Sequence, residues 1–590
     1  MGLISSKWQL NERQEVAFRM IAEKSVDPLS GPLRLVLSGA GGTGKSRVIN
    51  AVSDFFAMKG QHRRFRLASF TGVAAKNIGG MTLHAALSFG KHARQSNANN
   101  SARRNELTGH WEGVDFLFVD EYSMIGCSML CDISEALSVA KEDKQPFGGI
   151  NIIFAGDFAQ LPTIGQSKLY SLPVKKPTRN ADITDRNLLG RLLWLSVDKV
   201  IHLTEIMRKR SADAKGSTFL DLLGRLREGR CTVADYELLN TRVADRLCID
   251  WSSDKWNNCP IIVCDNAAKD HLNAKAAEAH AQRTGRALHW YYSTDTHGGR
   301  EVKEPELKDH LRALHSNLTS QRLGMIPLVI GMPVMLNTNY DVEGGIVNGC
   351  MGILKKIRYT SGEDSERHAT SCVIESPTLS GCALPCLSGN QCVAIADTVD
   401  VSFTHPYSKK RLKLKRTQVP LMPAFAMTAY KSQGQTLDAA VVDLQSCRGS
   451  EAPYVMLSHV RSLDDMVILH PFPYKKICCC QSEDLRKEIA RQKFLELLTL
   501  SQHGSAQLKA DAIAVLQEYR GQCLPVRYAD IATLDLSDVR SIQHRHTVFS
   551  QFILDQEYLH LQQRNRRDRK RHSDDPLEQE AVAKKRRLCR

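Results

Sequence analysis

The stretch Gly39-Ala40-Gly41-Gly42-Thr43-Gly44-Lys45-Ser46 decides how the first part of this 590-residue chain folds and what it binds. An apolar β-type run precedes it at residues 33–38, and a helical pattern begins at Lys45. Glycines let backbone N–H groups curl around phosphate groups, and the start of a helix adds the positive end of a dipole. We therefore expect Lys45 to reach the β- and γ-phosphates of ATP and Ser46 to ligate Mg²⁺.

Two further apolar runs in the first 165 residues end in polar residues that suit the same chemistry. Residues 116–119 lead to Asp120 and Glu121, and residues 150–155 lead to a segment that contains Gln160. Strands that alternate with helices predict a parallel sheet whose C-terminal strand ends share one ligand site. Asp120 would hold Mg²⁺ through its water shell, and Glu121 would orient and deprotonate the attacking water. The Gln160 amide would sense the γ-phosphate.

Charge and composition narrow the class of partner. Lysine and arginine number 79 and aspartate and glutamate 64, a net charge of +15 that favours a polyanion such as nucleic acid. No apolar run reaches the ~18 residues of a membrane span, so no membrane partner is expected. The 17 cysteines lack disulfide-type spacing and are expected to be reduced thiols. Zinc could use one cluster, formed by Cys382, Cys386 and Cys392.

Two later regions have a different pattern. Residues 355–419 show short alternating strands with Gly, Pro and Ser turns, which predict a small β-barrel insertion. Its segment 411–415 alternates basic and apolar residues, either to follow a phosphate backbone or as an edge strand protected by charge. The C-terminal region is predicted to be helical with a disordered basic tail. There, Lys570-Arg571 and Lys584-Lys585-Arg586-Arg587 suit a bipartite nuclear localisation signal or a nonspecific DNA contact.

Taken in order, these segments resemble one known family, the petite-integration-frequency (PIF) helicases of superfamily one, type B, including the helicase parts of Helitron transposons. The resemblance covers residues 8–475. Beyond the two ATP motifs, it rests on Thr71-Gly72-Val73-Ala74-Ala75, Asn77-Ile78-Gly79-Gly80, Thr82-Leu83-His84, Leu203-Thr204-Glu205-Ile206-Met207-Arg208, Gly331-Met332-Pro333-Val334-Met335-Leu336, Val347-Asn348-Gly349, Lys431-Ser432-Gln433-Gly434-Gln435-Thr436-Leu437 and Tyr454-Val455-Met456-Leu457-Ser458.

The resemblance implies an α/β fold with two RecA-like P-loop domains that have parallel sheets, a small inserted SH3-like β-barrel subdomain and a helical and disordered C-terminal extension. We expect the following boundaries: residues 1–165 for the first RecA-like domain, with a wedge insertion at 91–108; residues 166–354 and 420–475 for the two parts of the second; residues 355–419 for the SH3-like insertion; residues 476–560 for the helical extension; and residues 561–590 for the basic disordered tail.

The family also implies a function, which is ATP-dependent translocation 5′→3′ along single-stranded DNA and unwinding of tailed duplexes. The expected processes are DNA repair, recombination, replication or telomere maintenance. A monomer is assumed, and the basic tail rather than the family favours the nucleus, through an import receptor, over the mitochondrion. Gln14 would read the adenine edge, Gln160 would couple nucleotide state to domain movement, and Arg208 would be the arginine finger from the second domain. The expected DNA-binding residues are Thr71, Gly72, His84, Ser432, Gln433 and Gly434.

One motif departs from the family pattern. The last motif normally ends in Leu-Ser-Arg, whereas this chain has Leu457-Ser458-His459, followed by Val460-Arg461. A neutral imidazole cannot replace a permanently charged guanidinium fork. Either Arg461 binds the nucleotide instead, His459 works weakly, or hydrolysis is impaired. The alternatives to an active helicase are thus a nucleotide- and DNA-binding scaffold or the motor part of a Helitron-like transposition apparatus.

Overall fold

The computed structural model describes residues 1–27, 31–89, 101–171, 181–206, 214–251, 253–257, 259–342, 344–362, 365–379, 385, 387–405 and 407–522. The wedge insertion predicted at 91–108 lies partly outside these residues, and Arg208, Cys382, Cys386 and the basic tail at 561–590 lie wholly outside them. Within the described residues, no helix combines the length and the apolar character needed to cross a membrane. The cysteines among them are free of disulfide bonds.

A six-stranded parallel sheet forms the centre of the first domain. Its strands are β1 (Arg34–Gly39), β2 (Phe65–Ser69), β3 (Met81–Thr82), β4 (Phe116–Asp120), β5 (Asn151–Gly156) and β6 (Lys199–Leu203). They lie in the order β3-β2-β4-β5-β1-β6, and every pairing is parallel. β1 is buried along its whole length, because helices cover both faces of the sheet. Its sequence is therefore a continuous apolar run rather than an alternation.

The helices of the first domain are α1 (Gly2–Trp8), α2 (Glu12–Lys24), α3 (Lys45–Met58), α4 (Gly72–Asn77), α5 (Leu83–Ala86), α6 (Ser101–Trp111), α7 (Cys127–Lys141) and α8 (Ala181–Leu195). Successive residues of a strand point to opposite faces of its sheet. Leu35 and Leu37 of β1 accordingly pack in one apolar core with Val52 of α3. Val36 packs in the other core, with Trp194 of α8. These two cores fix the strand ends that carry the predicted site.

The sheet of the first domain extends beyond residue 165, where the sequence analysis placed the end of that domain. β6 pairs in parallel with β1, from Leu35 opposite Lys199 to Gly39 opposite Leu203. α8 belongs to the same unit, because Trp194 is fully buried in its core. The pairing joins segments far apart in the chain, which local hydrophobic periodicity does not reveal.

The remaining elements are, in chain order, α9 (Ala214–Arg227), α10 (Val233–Asn240), α11 (Asp254–Asn257), β7 (Ile261–Val263), α12 (Asn266–Thr284), β8 (His289–Tyr292), β9 (Thr294–His297), β10 (Arg300–Glu301), α13 (Pro305–Arg312), β11 (Met325–Leu328), β12 (Pro333–Leu336), β13 (Met351–Ser361), β14 (Arg367–Glu375), β15 (Gln391–Ile395), β16 (Asp397–Thr404), β17 (Arg411–Gln418), β18 (Leu421–Pro423), β19 (Ala426–Thr428), α14 (Ala429–Ser432), β20 (Ala440–Val442), α15 (Glu451–Ser458), β21 (Met466–Ile468), α16 (Glu483–His503) and α17 (Ala506–Gln522). A parallel sheet in the order β19-β7-β20-β21 forms the centre of the second domain. Two domains with parallel sheets were predicted, and the structure confirms them.

A mainly antiparallel β module, made of β8–β18 and α13, is inserted between β7 and β19, and its β14 and β8 pair in parallel. One of its sheets has the order β11-β8-β14-β13-β12-β18, with β15 beside β14, and the other has the order β10-β9-β17-β16. The predicted β insertion is confirmed, but it takes β8–β12 from before residue 355. β17 and β9 are joined by Arg416, whose fully buried guanidinium donates to both carboxylate oxygens of Asp295 at 2.7 Å. On β17, Lys413 and Lys415 are exposed as predicted for a basic face, while Leu414 is buried.

The C-terminal helices pack on the first domain rather than standing apart from it. In α16, Glu496 accepts a hydrogen bond from the His202 backbone N–H at 3.1 Å, and Thr499 accepts one from Val200 at 3.1 Å. Both N–H groups belong to β6, the edge strand of the sheet. An edge strand exposes unpaired backbone groups unless something covers it. α16 therefore completes the first domain by covering its open edge.

Candidate nucleotide and nucleic-acid site

The P-loop has the backbone shape that phosphate binding requires. Gly42 and Gly44 have positive φ angles of 86° and 87°, a conformation that favours glycine. At Gly39 a Cβ atom would lie 2.6 Å from the Thr43 hydroxyl oxygen, so a larger residue does not fit. α3 begins at Lys45 with no side-chain cap, which leaves its first N–H groups available to an anion.

The two polar side chains predicted at the start of α3 are both present at this loop. The Lys45 ammonium donates to the carbonyl oxygens of Gly39 at 2.7 Å and Ala40 at 3.2 Å, so its side chain lies over the loop. Ser46 follows it in the first turn of the helix. The glycines and Lys45 thus form a cradle with one cation at its rim, which suits the phosphate binding that the sequence predicts.

Asp120 and Glu121 lie at the end of β4, in the same sheet as the P-loop strand. Burial, together with the charge of Glu121, raises the pKa of Asp120 to about 7, and the Lys45 ammonium opposes this shift. Burial also raises the pKa of Glu121. Crowded carboxylates of this kind are relieved by a cation, and the oxygen set of Asp120 and Ser46 suits Mg²⁺. The donor atoms present therefore fit the metal that the sequence predicted.

The backbone of Glu121 is itself unusual. Its φ of 58° and ψ of 47° lie in the left-handed region, which a residue with a Cβ rarely adopts. Such a conformation costs on the order of 1 kcal/mol or more and persists where packing enforces it. Here it turns the chain sharply after β4, so that two consecutive carboxylates both remain at the strand end.

Gln14 lies directly behind the P-loop. Its side chain is fully buried, and its Nε2 donates to the Thr43 carbonyl at 3.0 Å. The Asn11 backbone N–H donates to Gln14 Oε1 at 3.0 Å, as part of a capping box at the start of α2. The amide therefore connects α2 to the P-loop. Its predicted contact with the adenine edge stays a prediction.

Asp157, after β5, makes a contact that the sequence did not indicate. Arg227 of α9 donates to both of its carboxylate oxygens at 2.8 Å, and Asp157 is only 1% exposed. Burial raises the pKa of Asp157, but the charge and hydrogen bonds of Arg227 outweigh this and hold the pKa below its ordinary value. The pair joins the first domain to α9, whose apolar residues pack in the core of the second domain. The basic residues of α9 were the one feature of the sequence that could have indicated this ion pair, and they did not identify Asp157 as the partner.

Gln433 crosses between the domains and reaches two residues that the sequence predicts for hydrolysis. Its Nε2 donates to Glu121 Oε2 at 2.8 Å and to Gln160 Oε1 at 3.1 Å. Gln433 is 4% exposed, and Ser432 is fully buried with its hydroxyl on the Ala429 carbonyl. The Ser432 hydroxyl is thus turned into its own helix and the Gln433 amide toward Glu121, and the DNA contacts predicted for these two residues stay predictions.

Other predicted DNA-binding residues lie where the two domains and the β module meet. Thr71 caps α4 by accepting from the Ala74 N–H at 3.2 Å. At Gly72 a Cβ atom would lie 2.7 Å from Asn339 Oδ1, so only glycine permits this approach. Gly434 is exposed, and its carbonyl accepts from Asn77 Nδ2 at 3.1 Å. The structure thus brings the Thr71-Gly72 segment and the Gly434 segment to the same helix, α4.

His84 stands beside this junction, in an aromatic group with Phe70 and Phe89. The ring centroids of Phe70 and Phe89 lie 6.3 Å and 5.9 Å from that of the imidazole, both edge to face. Partial burial lowers the pKa of His84. The imidazole therefore tends to be neutral near pH 7, and it suits stacking against a base better than pairing with a phosphate.

The structure also shows where His459 and Arg461 of the last motif lie. His459 is 6% exposed, and its Nδ1 lies 2.9 Å from the Gln435 carbonyl, which fixes a proton on that nitrogen. Arg461 has a side chain that is 63% exposed and lies 3.6 Å from Asp438. Among the described residues, no hydrogen bond joins Arg461 to the P-loop. Arg208 lies outside the described residues, so its predicted role as arginine finger stays a prediction.

Comparison with known proteins finds relatives that are similar in sequence and a solved structure that is similar in fold. A family model for PIF1-like helicases matches residues 9–237. The ATP-dependent DNA helicase PIF1 of Rattus norvegicus is 29% identical over 470 residues, covering 79% of this chain and 62% of the relative. That of Homo sapiens is 26% identical over 492 residues, covering 81% and 63%. The chain thus spans less than two thirds of the length of these relatives.

A solved structure has the same fold. It is the Pif1 helicase from Bacteroides in complex with ADP-AlF3 and ssDNA, which is 21% identical to this chain. The match has a TM-score of 0.56 and covers 81% of this chain and 97% of the other. Together with the motifs and the two parallel-sheet domains, these matches show what the chain is similar to. It resembles the PIF1-like helicases, by the family model over residues 9–237 and by the two relatives over 79–81% of its length.

Proposed function

We propose that the chain is an ATP-dependent DNA helicase that moves 5′→3′ on single-stranded DNA. The observation that carries the proposal is the hydrogen bond of 2.8 Å between Gln433 and Glu121. It joins the segment that the family resemblance assigns to DNA with the carboxylate that would activate water. The rat and human relatives are named ATP-dependent DNA helicases, and the Bacteroides structure holds ADP-AlF3 and ssDNA, which supports the same activity.

The residues divide the work between the domains. Lys45 would bind the β- and γ-phosphates, and Glu121 would accept a proton from the attacking water. Ser46 and Asp120 would hold Mg²⁺, which when bound neutralises charge on the phosphates. Arg227 and Gln433 reach across from the second domain to the first. Bound ATP would favour this closed arrangement of the two domains, and hydrolysis would remove that preference. The contacts between the domains and DNA would therefore change once in each cycle of hydrolysis.

ATP hydrolysis measured with and without single-stranded DNA tests the proposal, followed by unwinding of 5′-tailed and 3′-tailed duplexes. We expect turnover that single-stranded DNA stimulates, unwinding from the 5′ tail, and loss of both in Lys45→Ala. Absence of DNA-stimulated turnover in the wild-type chain would contradict the motor function. Unwinding from the 3′ tail alone would contradict the polarity while leaving the motor function intact.

One observation favours a second candidate, a scaffold that binds nucleotide and DNA with little turnover. His459 replaces the motif arginine and is tied to the Gln435 carbonyl, while Arg461 lies at the surface beside Asp438. Loss of one arginine from a phosphoryl-transfer site can cost about 10³–10⁵ in rate. The same measurements distinguish the two candidates, since a scaffold would bind ATP and single-stranded DNA without stimulated hydrolysis.

A further inference from the structure

The Gln433 carboxamide has one atom satisfied and one atom unsatisfied. Nε2 donates to Glu121 Oε2 at 2.8 Å and to Gln160 Oε1 at 3.1 Å, with the Ser123 hydroxyl at 3.5 Å. Oε1 is buried, and no described residue donates a hydrogen bond to it. A buried acceptor without a donor is costly, and such atoms in native proteins call for a donor that completes the site.

The orientation of this amide follows from its neighbours. An ionised carboxylate such as Glu121 can only accept hydrogen bonds, so the amide must turn its N–H groups toward that side. Reversing the amide would set Gln433 Oε1 against Glu121 Oε2 at hydrogen-bond distance, two acceptors in contact. The unpaired acceptor lone pairs of Oε1 are therefore held beside Glu121 by the catalytic residues themselves.

The main chain after Gln433 lies equally close to the carboxylate. A Cβ atom added at Gly434 would lie 3.9 Å from Glu121 Oε1 and 3.7 Å from the Ala74 side chain. Gly434 also has a positive φ of 82°, which favours glycine. The chain at 433–434 is thus packed between α4 of the first domain and Glu121. This placement is a built contact and does not depend on one flexible side chain.

We propose that Gln433 is a water-positioning residue of the hydrolysis reaction, a role that rests on the proposed function. Gln433 Oε1 accepts a hydrogen bond from the attacking water while Glu121 accepts that water's other proton. The water oxygen forms a bond to the γ-phosphorus, and the bond from that phosphorus to the bridging oxygen breaks. The electron pair of the broken bond stays on ADP, and the products are ADP, inorganic phosphate and a protonated Glu121.

This assignment explains how DNA controls hydrolysis. The water-orienting atom belongs to the second domain, so it reaches Glu121 only when the two domains are together. Its neighbour Gly434 is exposed and bonded to Asn77 at the end of α4, the helix that Thr71 caps at its start. A DNA strand bound at this junction would hold the 432–434 segment in place. Turnover would therefore be slow without DNA because the water is poorly oriented, although ATP still binds.

The test compares Gln433→Ala and Gln433→Asn with the wild-type full chain. Gln435→Ala is the matched control, because the Gln435 amide donates only to the Lys431 carbonyl, at 2.8 Å. We expect kcat at saturating single-stranded DNA to fall about 100-fold in both Gln433 variants, the usual effect of losing a positioning group. KM for ATP and Kd for single-stranded DNA should stay within about twofold, since ground-state binding is untouched. Gln435→Ala should retain the wild-type kcat.

A second readout does not depend on turnover. Affinity for ADP with aluminium fluoride, which resembles the transferred phosphoryl group, should fall in Gln433→Ala while affinity for ADP alone is retained. A normal kcat with weaker DNA binding would overturn the proposal and make Gln433 a DNA contact. Parallel losses in kcat, DNA affinity and thermal stability would overturn it in favour of a structural link. Wild-type protein without DNA-stimulated turnover would reject the proposed function together with this role.

Discussion

The two sides of the cleft present different kinds of chemical group. The first domain offers Lys45 at the start of α3, and Asp120 and Glu121 at the end of a parallel strand, all ionisable groups that would bind phosphate, Mg²⁺ or water. The second domain offers the neutral amide of Gln433 and the imidazole of His459. Of the arginines described on this side, Arg227 is paired with Asp157 and Arg461 lies at the surface.

This difference suggests that the first domain carries the groups for ATP hydrolysis and the second domain the groups that control it. Groups that carry charge onto the transferred phosphate gain most from a fixed, buried frame, and the two apolar cores of the first domain supply it. A group that controls when hydrolysis occurs must be able to move away from the site. The Gln433 amide is neutral, so it can move away without carrying a charge out of a buried position. The second domain thus fits a role in controlling when ATP is hydrolysed, and substitutions on its side of the cleft test that hypothesis.

The largest expected effect comes from Arg227→Ala. It would leave Asp157 buried without its partner, and breaking a buried pair costs about 3–5 kcal/mol. We expect the free energy of unfolding to fall by about that amount in denaturant titrations, with a large loss of ATP hydrolysis. Arg230→Ala is the matched control, because Arg230 and Glu228 form an exposed pair and surface pairs contribute about 0–1 kcal/mol. Equal stabilities for the two variants would show that Arg227 is not a link between the domains.

The contribution of the Arg227–Asp157 pair to stability depends on pH. The pKa of Asp157 is lowered in the folded chain, so its stabilising effect is present above the ordinary carboxyl pKa of about 4 and is lost as pH falls through the lower folded value. Acid unfolding of the wild-type chain should therefore include this group, whereas Arg227→Ala should lose stability already near pH 7. A constant difference between the two proteins down to pH 3 would contradict this.

The contrast between the two sides also explains what sequence could predict. The P-loop, Asp120 and Glu121 follow directly from short motifs after apolar strands, because each role depends on residues a few positions apart. Arg227 and Gln433 depend on contacts between segments separated by 70 and 312 residues, which no local pattern encodes. The same limit hid β6, the early strands of the β module and the packing of α16 against the first domain. Gln433 was picked out by its motif, but its partner was not.

A smaller effect is expected from His459→Arg, which restores the residue that the family pattern has at this position. A guanidinium carries a permanent charge that the imidazole lacks, so the cleft would regain a cation on its neutral side. We expect kcat for DNA-stimulated ATP hydrolysis to rise about tenfold, less than the full value of an arginine finger because the site is packed around an imidazole. His459→Gln is the control, since it removes the imidazole without adding charge. An unchanged kcat in His459→Arg would show that the departure is no defect.

The smallest effect concerns Lys431, a cation that the second domain keeps at a cost. Burial, with the charges of Lys269 and Arg322, lowers the pKa of Lys431 to about 8, and its ammonium is bonded to Asn348. Between pH 8 and the ordinary lysine value near 10.5 the unfolded chain binds more protons, so stability rises with pH in that window. Below pH 8 both states are charged and the penalty is fully present.

Lys431→Met tests why the cation is kept. Removing the buried charge should stabilise the chain by about 1 kcal/mol at pH 7 and abolish the rise in stability between pH 8 and 10. If the ammonium serves a DNA phosphate, the variant should also bind single-stranded DNA more weakly, with a salt slope lower by about 1. Lys413→Met, on the exposed face of β17, is the matched control for loss of one surface charge. Greater stability without weaker DNA binding would mean that the buried Lys431 charge lowers stability and does not contribute to DNA affinity.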